Sequence, residues 1–303
     1  MTDLDVVTGA FSYSGAAIAG QLLARGRRVR TLTGHPDRAP AGTAIKVAPL
    51  NFAAPDELRW SLAGAHTLYN TYWVRFAHGQ VSHEIAVANS RRLFAAAAAA
   101  GVQRIVHVSI TNPSLTAADT YFRGKAQVEQ ALAQSGVPSH AIARPAVLFG
   151  GDGVLLNNIA WLLRRFPVFA IGGNGSYRLR PIHVADLATL CADLGGREDT
   201  VTVDAVGPES VTFRQLIEAI RTAVGSHAVI APVPGYAVPL LAGVLGLVLR
   251  DRLLTADEYR SMAAGLADST APASGTVSVT TWIAEHGNEL GRRYASELDR
   301  HFR

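Results

Sequence analysis

Several residue types are scarce in this 303-residue chain: one cysteine, two methionines and, among 28 basic residues, two lysines, Lys46 and Lys125. A lone cysteine excludes an internal disulfide. Cys191 lies in the apolar run from Leu187 to Leu194 and reads as a small core residue rather than a nucleophile, which suits a reducing cytoplasm. The net charge of +4 comes without a basic tail or cluster, so no nucleic-acid partner is expected. Met1 to Asp5 holds two acids, and the apolar pair Val6-Val7 is too short for a signal-peptide core. Ala228 to Leu249 carries no charge and is about as long as a bilayer span, but Pro232, Pro234 and Pro239 interrupt it. The uninterrupted part, Leu240 to Leu249, is expected to form a buried helix or a lid over an apolar pocket, not an integral membrane segment. Metal ligation is not expected either. No two of His66, His78, His83 and His107 show the i,i+4 spacing with an adjacent carboxylate that a zinc helix uses.

What is abundant is apolar residues, 49% of the chain, enough for a large α/β core. Strand and helix patterns alternate from Leu4 to Val206, which predicts a doubly wound parallel sheet of the Rossmann type. The strands are expected at Leu4–Thr8, Val29–Thr33, Ile45–Ala48, Thr67–Thr71, Arg104–Ile110, His140–Arg144 and Val201–Ala205. Helical periodicity falls at Gly15–Arg25, Val81–Ala100, Tyr121–Gln134, Val184–Leu194 and Phe213–Val224. A dinucleotide domain over residues 1–149, completed by about 181–207, is expected. Residues 150–180 and 208–303 are then left for a smaller substrate or lid region.

The first strand runs directly into Thr8-Gly9-Ala10-Phe11-Ser12-Tyr13-Ser14-Gly15. Gly9 suits the tight turn, Ser12 stands where a second glycine often lets a pyrophosphate approach, and Gly15 lets the helix pack closely. The N–H groups at the helix start, around Phe11 to Tyr13, would bind phosphates. An acid after the second strand would favour NAD. The segment offers Thr33, His35 and Arg38 instead, which points to NADP, with NAD still possible.

Tyr121 and Lys125 stand four apart, on one face of a helix. With two lysines and eight tyrosines in the chain, a chance match of this spacing has odds of roughly one in twenty. An ammonium beside a phenol favours the phenolate, so this tyrosine could exchange a proton with a substrate oxygen near neutral pH.

Together these motifs resemble the short-chain dehydrogenase/reductase superfamily in its extended or atypical branch. The glycine turn, Asn89, the strand Val106 to Thr111, Tyr121-x3-Lys125, Arg144-Pro145 and His183-Val184-Ala185-Asp186 follow the order of that branch. The chain is most similar to NAD(P)-dependent epimerase/dehydratase-like proteins and to the nucleotide-binding accessory subunit of respiratory complex I, and more distantly to NmrA-like proteins. Ser12 departs from the usual glycine.

The resemblance implies Tyr121 as acid/base, Thr111 as the hydroxyl on the reacting oxygen with Ser109 as fallback, and Lys125 on the nicotinamide ribose. It places Pro145, Val147 and Leu148 against the nicotinamide, Asn51 at the adenine, and Asn70, Thr71 and Tyr72 beside the cofactor. His183 and Asp186 would fix a strand-to-helix corner. A partly apolar carbonyl or alcohol substrate would meet Trp73, Phe76, Asn157, Asn158, Trp161 and Arg180, with Tyr177 nearby. The implied activity is hydride transfer. A sugar-nucleotide epimerase or dehydratase and a non-catalytic NAD(P)-binding sensor are the alternatives, in a monomer or homodimer.

Overall fold

The computed structural model describes residues 3–77, 79, 81–251 and 253–296. The chain begins with β1 (Leu4–Thr8), α1 (Tyr13–Ala24), β2 (Arg28–Thr33), β3 (Lys46–Pro49), α2 (Pro55–Leu62), β4 (Ala65–Asn70), α3 (His83–Ala99), β5 (Arg104–Val108), α4 (Thr120–Ala133) and β6 (Ser139–Pro145). It continues through β7 (Leu148–Phe149), α5 (Val154–Arg165), β8 (Val168–Gly172), β9 (Arg178–Leu179), β10 (Ile182–His183), α6 (Val184–Gly195) and β11 (Val201–Ala205). The remaining elements are β12 (Val211–Thr212), α7 (Phe213–Ala223), β13 (Val229–Val233), α8 (Ala237–Leu249), α9 (Ala256–Ala263) and α10 (Val279–His286). Two compact units result. The first holds residues 1–145 and 184–205, the second 146–183 and 206–303.

The first unit is a seven-stranded parallel sheet in the order β11-β6-β5-β4-β1-β2-β3. Helices cover both faces. α1 packs with α6, while α2 packs on α3 and α3 on α4. Strands buried on both faces read as continuous apolar runs, and Val6, Val7, Leu68 and Ile105 have almost no exposure. The one acid in β1, Asp5, is fully buried and compensated by Arg27, whose Nε and Nη2 donate to its two oxygens at 2.7 and 2.8 Å. Cys191 is buried in α6, and burial pushes its thiol up to about 12, which makes it an inert core residue. The chain leaves β1 and β4 in opposite lateral directions, so the β1 and β4 ends flank the topological switch point where such sheets take ligands.

The second unit has its own core of Phe149, Leu156, Ile159, Leu216, Ile220 and Ile283. It also contains a short parallel pair, β8 with β13, where no sheet pattern was expected. Thr212 and Gln215 form a capping box that starts α7. The uncharged stretch corrects the sequence reading. α8 begins at Ala237, before Pro239, because a proline in the first turn lacks an N–H that would have had no intrahelical partner anyway. Nor is α8 a buried helix: only Gly246 in it is buried. No helix among the described residues is long and apolar enough to cross a membrane.

Candidate active site

The turn after β1 is shaped by two glycines with different tasks. Gly9 takes φ +64°, a left-handed conformation, and its N–H donates to Leu32 O at 2.8 Å. Gly15 has ordinary φ, but a Cβ there would lie 2.1 Å from Gly9 O, so only glycine lets α1 close onto the turn. Ser12, exposed at the α1 N-cap, sends its hydroxyl back to Gly9 O at 2.6 Å and caps no helix N–H. This arrangement fits a dinucleotide pyrophosphate: the backbone is approachable at the turn, and the helix start presents its N–H end. Phe11 and Tyr13 beside it are half-buried.

Across the switch point the β4 loop is locked to β1 by Thr8. Its hydroxyl accepts the N–H of Thr71 at 2.7 Å and of Tyr72 at 3.1 Å, while Thr71 Oγ1 donates to Thr8 O at 2.6 Å. Asn70 is fully buried and pairs with His107 Nδ1 at 3.0 Å. Burial holds His107 well below the usual histidine range, with Lys125 adding to the shift, so the ring is neutral. Asn89 Oδ1 accepts from Arg92 Nη1 of the same helix at 3.3 Å. Its Nδ2 donates to Tyr72 OH at 3.0 Å, and the Tyr72 ring meets Phe52 at 4.8 Å.

At the end of β2, Thr33 Oγ1 accepts the N–H of His35 at 2.9 Å, and His35 and Asp37 are exposed. Arg38 is half-buried in the turn that follows. Asn51 is committed locally: Nδ2 donates to Glu57 at 2.7 Å and Oδ1 accepts from Ala53 N–H, so it fastens the approach to α2.

The end of β5 meets α4. Asp119 caps α4 by accepting the Tyr121 N–H at 2.8 Å. One turn on, Lys125 is 3% exposed, donates from Nζ to Val108 O at 3.0 Å and lies 4.7 Å over the Trp73 ring. Burial pushes this amine down to about 7, opposed by Glu129. The residue after Val108 is Ser109, whose hydroxyl is buried and has no hydrogen-bond partner. Thr111 is buried, with its N–H on Pro145 O at 3.0 Å, and Asn112 then turns the chain at φ +53°. Tyr121 is half-buried and edge-on to both Trp73 and His83, at 5.7 and 5.6 Å. Trp73 can lie there because residue 124 is glycine. A Cβ on Gly124 would come within 2.9 Å of the indole. Spacing rules singled out Tyr121 and Lys125 but missed Gly124, Thr8 and His107, whose roles exist only once distant strands pair. Asn112-Pro113, a turn-forming dipeptide, was the one readable sign of the bend beyond Thr111.

Of the other expected site residues, Phe76 is buried and Pro145 ends β6. Val147 and Leu148 lie in the second unit, as do Asn157, Asn158, Trp161 and Arg180. Asn157 and Asn158 donate to Arg293 O and Ala295 O at 2.9 and 2.8 Å, and Arg180 donates to the carbonyls of Gly207, Ser269 and Ala271. Trp161 packs between Arg165 and Tyr294. Tyr177 stacks on Phe213. His183 lies edge-on to Phe149 at 5.2 Å, in space that a Cβ on Gly150 would fill. Asp186 stands in the first turn of α6. His78 lies outside the described residues; among those described, no cluster could hold a metal ion.

A family model for NAD(P)H-binding proteins matches residues 9–158, the stretch that contains the glycine turn, the Thr8-anchored loop and the β5–α4 seam. Residues 9–158 thus carry an NAD(P)H-binding domain. The chain is 26% identical over 227 residues to the mitochondrial NADH dehydrogenase [ubiquinone] 1 alpha subcomplex subunit 9 of Arabidopsis thaliana, covering 70% of this chain and 56% of that protein. It thus spans about half the length of the complex I subunits it matches. It is 27% identical over 250 residues to a 4-hydroxy-2-methyl-3-oxo-4-farnesyl-3,4-dihydroquinoline-1-oxide ketoreductase of Stigmatella aurantiaca, covering 73% and 75% of the two chains. Its fold matches the Citrobacter sp. triphenylmethane reductase complexed with NADP(H), with a TM-score of 0.75 at 18% identity over 93% and 99% of the chains.

Proposed function

We propose that this protein is an NADP(H)-dependent oxidoreductase that interconverts a carbonyl and an alcohol on a partly apolar small molecule, with Tyr121 as the acid/base. The observation that carries this reading is the Ser109 hydroxyl. It is buried, unpartnered, and one residue beyond the carbonyl that holds Lys125. A buried hydroxyl without a partner is costly unless a ligand completes it. The end of β2, with Thr33 and His35 before the nearest acid, exposed Asp37, and with Arg38 after it, supports NADP over NAD.

The nicotinamide, when bound, supplies or accepts the hydride. In reduction, the carbonyl oxygen takes a proton from the Tyr121 hydroxyl as the carbon gains hydride, and oxidation returns that proton to the phenolate. Ser109 or Thr111 donates a hydrogen bond to that oxygen and holds it in place. Lys125 uses one donor on Val108 O and has others for the ribose hydroxyls. Trp73, next to both Tyr121 and Lys125, provides an apolar wall, consistent with the ketoreductase among the relatives.

The test is Tyr121→Phe, assayed with NADPH and NADH against a panel of ketones and quinones. Turnover should fall about 10²- to 10⁴-fold while NADPH affinity is kept, and NADPH should bind more tightly than NADH. Full activity in the variant removes Tyr121 from the mechanism. Tight NADPH binding without turnover on any carbonyl favours a non-catalytic role of the kind open to relatives of a complex I subunit. Trp73 packed directly over the Lys125 amine is the feature that suits that second reading.

A further inference from the structure

In α8 the helix that should hide its apolar surface displays it. Tyr236, at its N-cap, is 77% exposed, and Leu240, Val244, Leu247 and Val248 are 67%, 66%, 82% and 75% exposed. At about 100° per residue these positions, with Leu241, fall on one stripe roughly 140° wide. The opposite side, including buried Gly246, faces the rest of its unit, where α8 packs on α9 and β8. An ordinary surface helix would carry charge on such a stripe. This one carries none from Ala237 to Leu249.

We propose that α8 is a membrane-surface anchor that lays this stripe into the boundary between headgroups and acyl chains of an anionic bilayer. Three features favour lipid over a protein partner. Six side chains fall far short of the roughly 20 to 30 residues that each side of a stable protein interface contributes. The helix has 13 residues, about 20 Å long, too short to cross a hydrocarbon core of about 30 Å but suited to lying in its surface. Its ends match that environment: amphipathic Tyr236 precedes it, exposed Arg250 caps it, and Arg252 follows in the sequence. The acids at this end each have a fixed partner. Asp251 is 6% exposed and accepts from Tyr294 OH at 2.5 Å, Asp257 is paired with Arg260, and Glu258 closes the capping box of α9.

The experiment is co-sedimentation of the full chain with vesicles of phosphatidylcholine alone or mixed with phosphatidylglycerol. Binding to the mixed vesicles, weakened by salt, is expected. Leu240→Glu with Leu247→Glu should reduce it at least tenfold without lowering the melting temperature, because both side chains are already exposed, and Arg250→Glu should reduce it about fivefold or more. Absence of binding to phosphatidylglycerol vesicles overturns the proposal, as does binding that the double variant retains. A concentration-dependent dimer abolished by the same double variant overturns it in favour of a second copy on the stripe.

Discussion

Burial, more than any partner, sets the charge of Lys125 and pushes its amine down to about 7. Glu129, the acid that could keep it charged, is already in a two-point pair with Arg144 Nε and Nη2. Between about 7, where the buried amine titrates, and its ordinary value of 10.5, the unfolded chain binds a proton that the folded chain has released. Stability therefore rises with pH through that window, by at most about 1.4 kcal/mol per pH unit, and the full cost of burying the charge is present below it. Lys125→Met should remove this rise and stabilise the fold below pH 7, as measured by urea unfolding of both proteins across the window. An unchanged pH slope in the variant would show that the amine is not the group responsible.

At the scale of elements, α1 offers an internal comparison. A Cβ on Gly15 meets Gly9 O at 2.1 Å, whereas one on Gly20, in the same helix, meets nothing within 4 Å. Gly15→Ala should push α1 off the turn, costing about 1 to 3 kcal/mol and weakening NADPH binding at least tenfold. Gly20→Ala should stabilise the helix by up to about 1 kcal/mol and leave binding alone. Thermal melts and fluorescence titrations of the pair decide it, and equal effects would remove the turn from the cofactor site. The same helices and strands show what was legible. Leu4–Thr8 and Val201–Ala205 are strands over the residues expected, because β-branched residues dominate both and polar or glycine-containing turns bound them. α2 went unread because its eight residues carry few apolar ones, and β8 and β13 because each depends on pairing about sixty residues away. In the site, Tyr121 and Lys125 were visible as a spacing. The Lys125 bond to Val108 O and the seat of Trp73 on Gly124 are tertiary contacts and leave no periodic trace.

Taken as a whole, the molecule relies on two cores held by different means. The first unit closes around a seven-stranded sheet. Among its described residues the second has two-stranded pairs in place of such a sheet, and it ties its last described segments in place with side chains. Arg164 donates to the carbonyls of Leu290, Val224 and Gly287, while Asn157 and Asn158 bind those of Arg293 and Ala295. Arg164→Ala leaves three carbonyls without these donors and should cost about 2 kcal/mol or more, seen as a lower first melting transition. NADPH affinity should be unchanged, because the glycine turn lies in the other unit. A variant that loses NADPH binding in step with stability would mean that the units do not melt independently.

With 28 basic residues of which two are lysines, almost all positive charge sits on guanidinium groups, which neither titrate in the working range nor react with acylating reagents. The protein is thus nearly silent to amine chemistry despite its basic isoelectric point. Of its two lysines Lys46 is exposed and Lys125 is sealed under Trp73, so acylation of Lys125 itself is a clock for the opening of the seam between β5 and α4.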